Sequence, residues 1–185
     1  MTHHSLHFFS LSALAAALLL PSLASAAPLD SNKEMAEQTR WVVNTINSRH
    51  YLRESIDHLD GEEMVEAYVD SFDYGRMYFT REEVDSFNFR FAAAMEDFLA
   101  KGNLYAAFQI YESFKTHAKQ RNTWVETRLK EDFDFTISEA FSPDRREAEW
   151  PADATAADKL WEQRLKYELL NELLSLASEY KDPSE

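Results

Sequence analysis

Apolar residues recur at three- and four-residue intervals through most of this chain, the period of helices that bury one face. The first such helix is predicted to start near Ser31, with Glu34 completing a capping box, and to bury Met35, Val42, Val43 and Ile46 before ending around "SRHY". A second is capped by Asp60 with Glu63 and lines up Met64, Val65, Tyr68, Val69 and Phe72. Thr80 and Glu83 open a third, whose Val84, Phe87, Phe91, Met95 and Phe98 share a face as far as Gly102, where a left-handed C-cap is expected. Asn103 caps a long fourth helix from Leu104 to about Glu131, carrying Leu104, Phe108, Tyr111, Phe114, Ala118, Trp124 and Leu129. The period then fails. Residues 132–152, with Pro143 and Pro151, read as an ordered, aromatic-rich loop with a short extended piece at "FDFTI". The last helix is predicted near Thr155, capped with Asp158, and presents Leu160, Trp161, Leu165, Leu169, Leu173, Leu176 and Tyr180. The expected fold is all-α: a single helical domain of about five helices with one ordered loop over 132–152.

The apolar run ahead of these helices changes the picture. "FFSLSALAAALLL", Pro21 and "ASA" read as a signal peptide over residues 1–26, cleaved after Ala26, although the leader lacks Lys and Arg. The domain then occupies 27–185. Export to the periplasm follows, and no later stretch is apolar enough for a membrane span. Export permits disulfides, yet the chain has no cysteine, so packing must supply its stability. A net charge of −14 disfavours nucleic acid and anionic lipid as partners, leaving protein surfaces that are basic or neutral.

One stretch invites a chemical reading. "DSFDYGRMYFTR", Asp70 to Arg81, has twelve residues with glycine sixth, the layout of a calcium loop between helices. Calcium needs oxygen donors at the first, third, fifth and twelfth places, and this stretch offers Asp70, Phe72, Tyr74 and Arg81. The metal reading fails on chemistry. A structural corner explains the residues instead: Phe72, Tyr74, Tyr78 and Phe79 anchor the turn, Gly75 takes positive φ, and Asp73 pairs with Arg76 or with freed backbone amides. Among His50, His58 and His117 no pair has zinc spacing, and Ser138, Ser142 and Lys159 read as surface or capping residues. No cofactor is implied.

The run "YVDSFDYGRMYFTREEVDSF", the upstream "SRHY", the downstream "GNLYAAFQIY", the "FDF" at Phe133 to Phe135, and "EWPADATAADKLWEQRLKYELLN" follow one another in a specific order. In that order, from about Asn32 to Asn171, the chain resembles the helical N-terminal domain of tail-specific proteases, the periplasmic carboxy-terminal processing peptidases also called Prc or Tsp. The resemblance implies a noncatalytic scaffold and docking domain within a family whose activity is that of a Ser-Lys endopeptidase. The PDZ and peptidase parts are expected to be absent, with the domain truncated at its C-terminal end. The alternative is a free-standing periplasmic helical adaptor or binding protein. For partner binding the candidates are Trp150, which either marks a groove or anchors the loop, and Leu169, Leu173 and Leu176. Their leucine-rich run predicts self-association or a protein partner such as the peptidase and PDZ domains, a substrate or an adaptor.

Overall fold

The computed structural model describes residues 31–49, 51 and 55–179, so the expected signal peptide, His50 and Tyr180 lie outside the described residues. Asn32, rather than Ser31, starts the first helix: its Oδ1 accepts the Met35 N–H at 2.9 Å. From there α1 runs over Lys33–Arg49. Of its four predicted core residues Val43 alone is buried, while Met35 and Val42 are exposed and Ile46 is half-buried. The reason is the way α1 lies: it rests on α4 (Met95–Lys101) and touches a 3-10 turn at Ile56–His58, so a narrow strip of its surface is covered.

Asp60 opens α2 (Gly61–Asp70) by accepting the Glu62 N–H at 2.7 Å, and Val65 and Val69 are wholly buried. Thr80 opens α3 (Arg81–Phe91) with both halves of a capping box, Glu83 N–H to Thr80 Oγ1 and Thr80 N–H to Glu83 Oε2. The helix predicted to continue to Gly102 is interrupted. A 3-10 turn at Ala92–Ala94 separates α3 from α4, and there the start of α2 comes so close that a Cβ on Gly61 would lie 2.1 Å from the Ala92 carbonyl oxygen. Counting α3 and α4 as one broken helix, the domain has the five helices expected, and no strand occurs among the described residues.

Gly102 ends α4 in the left-handed region, at φ 69°. The Asn103 side chain then accepts the Tyr105 N–H at 2.9 Å, and α5 follows over Tyr105–Arg128. Its 24 residues span about 36 Å. Ala106 and Ile110 are its buried residues, and Leu129 beyond its end is exposed, contrary to expectation. Only the first half of α5 crosses the main core, formed by Val65, Val69, Phe79, Val84, Phe87, Phe91, Met95, Ala106, Ile110 and Trp150. Residues 129–153 form the loop. The expected extended piece is absent there because Asp134 accepts both the Thr136 N–H and its hydroxyl, an Asx turn that bends the chain. The last helix, α6, covers Ala154–Glu179. Asp153 caps it, accepting the Ala156 N–H at 2.8 Å, whereas Asp158 is bound to Arg121. No described helix is long and apolar enough to cross a membrane.

Glycine is required where the chain turns left-handed against α1: a Cβ on Gly102 would lie 2.3 Å from the Ala36 carbonyl oxygen. Gly75 is different, since its added Cβ would meet nothing closer than Met77 at 3.7 Å. Gly102→Ala is therefore expected to lower stability by about 1–2 kcal/mol or more, and the melting temperature by at least about 2–4 °C. Gly75→Ala should leave it within about 1–2 °C; thermal denaturation of both variants checks the contrast.

Candidate functional site

The corner between α2 and α3 is built around a carboxylate. Asp73 is 1% exposed, and its two oxygens accept the backbone N–H groups of Met77 at 2.8 Å, Tyr78 at 3.1 Å and Phe79 at 3.1 Å. Behind it the chain closes a tight turn, with the Asp73 N–H donating to Val69 O at 2.9 Å and the Arg76 N–H to Asp73 O at 2.7 Å. Burial pushes the Asp73 pKa up, and the three amide donors work against it. Trp150 Nε1 is close enough to favour the charged form without completing a hydrogen bond. Of the two arrangements expected for Asp73, the structure adopts the one with backbone amides.

Arg76 turns elsewhere. Its guanidinium forks onto Asp70 at 3.1 and 3.0 Å and donates to Ala148 O at 2.8 Å. Arg76, not Gly75, carries the positive φ, at 50°. The fork on Asp70 and the bond into the loop supply what offsets that less favoured backbone. With both Asp70 oxygens held by Arg76 and the Asp73 oxygens held by amides, neither acid offers a free ligand set. Among the described residues no group of three or more His, Asp or Glu could hold a metal ion.

Rings fill the corner. Phe72 lies 5.1 Å from Tyr68 and 4.9 Å from Phe114, Tyr78 lies 5.2 Å from Phe114 and 5.3 Å from Trp161, and Phe79 lies 5.3 Å from Phe87. Tyr74, expected among these anchors, is 61% exposed, because the Asp73 turn directs it outward. The loop and α6 are fastened to the same few residues. Arg145 donates to Gly75 O, the Arg81 N–H donates to Pro151 O, and the Trp161 indole donates to Met77 O at 2.8 Å.

Trp150 is 3% exposed, with the Arg76 and Arg81 guanidiniums 4.2 and 4.7 Å from its ring centre. It is an anchor of the loop and presents no surface to a partner, which corrects its place among the partner-binding candidates. The sequence reading placed Arg76 in the corner and Arg81 at its end but not their contact with Trp150, which joins positions about seventy residues apart.

Beside the corner, His117 on α5 meets Glu83 at 2.7 Å. The hydrogen bond to Glu83 raises the His117 pKa above 6.5. Burial pushes Glu83 upward, but the bonds from His117 and Thr80 prevail and hold it below 4.5. The pair lines a groove of about 310 Å³ with Tyr78, Gln120, Arg121, Trp124 and Asp158. There Arg121 is already bound to Asp158 at 2.6 Å and lies against the Trp124 and Trp161 rings. Ser138, Ser142 and Lys159 are exposed.

The leucine candidates sit on the distal half of α6. Leu169 is half-buried, and Leu173 and Leu176 are exposed together with Leu170 and Leu174. Leu170 and Leu174 belong to the same leucine-rich run, "ELLNELLSLA", and share its four-residue spacing.

Two comparisons bear on this arrangement. The family model described as the tail specific protease N-terminal domain matches residues 42–185. A tail-specific protease of Haemophilus influenzae is 24% identical over 153 residues, covering 83% of this chain and 22% of the relative. The chain thus spans less than a quarter of that relative's length.

Asp73→Ala leaves the buried amides of Met77 and Phe79 and the part-buried amide of Tyr78 without an acceptor and is expected to cost at least about 3 kcal/mol, read as a lower urea midpoint at unchanged slope. The His117–Glu83 pair predicts a pH signature. Stability from the raised His117 pKa is complete below pH 6.5 and is lost as pH rises through the folded value. Stability from the lowered Glu83 pKa is complete above pH 4.5 and is lost as pH falls through its folded value. The melting-temperature gap between the parent chain and His117→Gln should therefore be largest between pH 4.5 and 6.5 and shrink by pH 9. A gap that widens toward pH 9 would contradict the pairing.

Proposed function

Because this chain belongs to the family of tail-specific protease N-terminal domains, we propose that it acts as the noncatalytic helical scaffold and docking domain of such a protease. It works in the periplasm, reached by removal of the leader after Ala26. The observation that carries the reading is the use made of the converging polar groups. Asp73 serves three amides, Glu83 caps a helix while holding His117, and Arg76, Arg81 and Arg145 bind the loop 129–153 to the corner.

These groups spend their bonding capacity on one rigid junction among α2, α3, α5, α6 and the loop. A nucleophile needs a base within hydrogen-bond reach and donors for the developing oxyanion. Ser138 and Ser142 instead lie exposed on the loop and Lys159 on α6. What such a junction supplies is a fixed platform, and the whole protease's cleavage of exported proteins belongs to parts beyond these helices.

The test mixes the purified chain with the separately produced PDZ and peptidase part of a tail-specific protease. A stable complex by size exclusion is the expected result, with no cleavage of a protein substrate by the chain alone. Cleavage by the isolated chain overturns the noncatalytic reading. Absence of a complex favours the free-standing adaptor.

A further inference from the structure

The groove beside the Asp73 corner holds polar groups that the frame does not consume. Its volume of about 310 Å³ lies at the lower end of small-molecule sites, which run from roughly 300 to 1,000 Å³. α5 supplies His117, Gln120, Arg121 and Trp124, the end of the corner and the first turn of α3 supply Tyr78 and Glu83, and the start of α6 supplies Asp158. The charged groups form two opposite pairs, His117 on Glu83 at 2.7 Å and Arg121 on Asp158 at 2.6 Å. Each pair fixes its members in one geometry and leaves bonding capacity over. Arg121 donates to Asp158 Oδ1 through Nη1, so Asp158 Oδ2 and the other guanidinium N–H groups stay open toward a ligand. The Gln120 amide, the Tyr78 hydroxyl and the Trp124 indole N–H make no hydrogen bond to another described residue.

This lining selects among ligand classes. A metal ion finds no group of three or more His, Asp or Glu among the described residues, and any other cation meets Arg121. An anion meets Glu83 and Asp158 in a chain of net charge −14. A purely apolar molecule would desolvate the two charge pairs and return no hydrogen bonds. The groups that remain open are donors and acceptors side by side, next to an aromatic ring. Trp124 is half-buried, with the Arg121 guanidinium 4.8 Å from its ring centre to hold it in place. We infer that the groove binds a neutral saccharide of about one or two rings. The C–H face of a sugar ring lies on Trp124 by dispersion, while its hydroxyls, which both donate and accept, meet Gln120, Arg121 and Asp158. Such a site is independent of the docking role proposed above.

The experiment titrates the full, isotope-labelled chain with maltose, cellobiose and N,N′-diacetylchitobiose, and follows the tryptophan indole N–H signals by NMR. At least one of these disaccharides is expected to shift the Trp124 signal saturably, with a Kd of about 1–10 mM, and to leave that of Trp41, 69% exposed on α1, in place. Gln120→Ala and Trp124→Leu, read from backbone amides around the groove, should each weaken binding about fivefold or more, and Trp41→Leu should change nothing. Gln120 is exposed and bonded to no other described residue, so its variant keeps the test decisive even if Trp124→Leu unfolds the chain; circular dichroism reports on both. Cellobiuronic acid and de-acetylated chitobiose, each in its charged form, should bind about fivefold or more weaker than their neutral counterparts.

Absence of a saturable Trp124 shift with all three disaccharides at about 100 mM overturns the inference. Equal shifts at Trp41 and Trp124 do so as well, since contact with any exposed indole would then suffice. Unchanged affinity in the Gln120 variant removes the groove as the site, and tighter binding of either charged counterpart removes the neutral class.

Discussion

The domain depends on one buried negative charge. Moving a carboxylate out of water costs several kcal/mol even after relaxation, so Asp73 is tolerated only through what it accepts. Three amide donors, each worth about 1.5–3 kcal/mol when the acceptor is charged, offset part of that cost, burial still prevailing in the raised Asp73 pKa, and leave the Met77–Phe79 backbone held in one geometry. That backbone has no helix to satisfy it, because α2 has ended and α3 has not begun. A buried irregular segment must find partners for its N–H groups, and a single carboxylate satisfies three of them. The rings then follow, since a rigid Met77–Phe79 backbone sets Tyr78 against Phe114 and Trp161, and Phe79 against Phe87.

From this corner the order spreads by arginine. Arg76 and Arg81 hold Trp150 between the corner and the loop, and Arg145 returns from the loop to Gly75. Each cation–π contact contributes about 0.5–2 kcal/mol, more where water is excluded. Guanidinium planes suit this task better than ammonium groups, because one face stacks on an indole while the edge donates to a carboxylate or carbonyl. The loop can therefore be ordered without a strand or helix of its own. Its polar groups and Trp150 are tied to a frame that already exists.

Local signals were legible in the sequence and distant ones were not. The capping box of Thr80 and Glu83, the Asp60 cap and the left-handed Gly102 each depend on residues within four positions, and the structure shows them. The helical period likewise carried the all-α fold. Three features escaped it for the same physical reason. The break at Ala92 accompanies the approach of Gly61, the burial of Trp150 needs Arg76 and Arg81, and Asp158 leaves its capping role for Arg121 on another helix. Positive φ at Arg76 instead of Gly75 belongs with them, since the fork onto Asp70 and the bond to Ala148 are contacts that no turn propensity encodes. The ordered run of motifs carried the family, because it samples the corner, α5 and the start of α6 together.

The junction of α5 and α6 shows how far the frame extends. These helices are joined by Arg121 to Asp158 and by Arg128 forked onto Glu162 at 2.6 Å, with Trp161 and Arg164 reaching back to Met77. All four anchors on α6 fall between positions 158 and 164, and the Lys166–Glu139 pair and the Phe141–Tyr167 ring contact close the series. Beyond Tyr167 the helix continues for twelve residues, about 18 Å, with Leu170, Leu173, Leu174 and Leu176 exposed. A free helix of that length is marginal on its own, so the projecting part draws its order from continuity with the anchored half. Side chains such as Leu173 and Leu174, 48 and 59% exposed, contribute only part of their burial energy to folding, and a partner that covers the rest gains about half of the 1.5–3 kcal/mol that full burial is worth. The energy that the fold leaves unused on this face is therefore available for association.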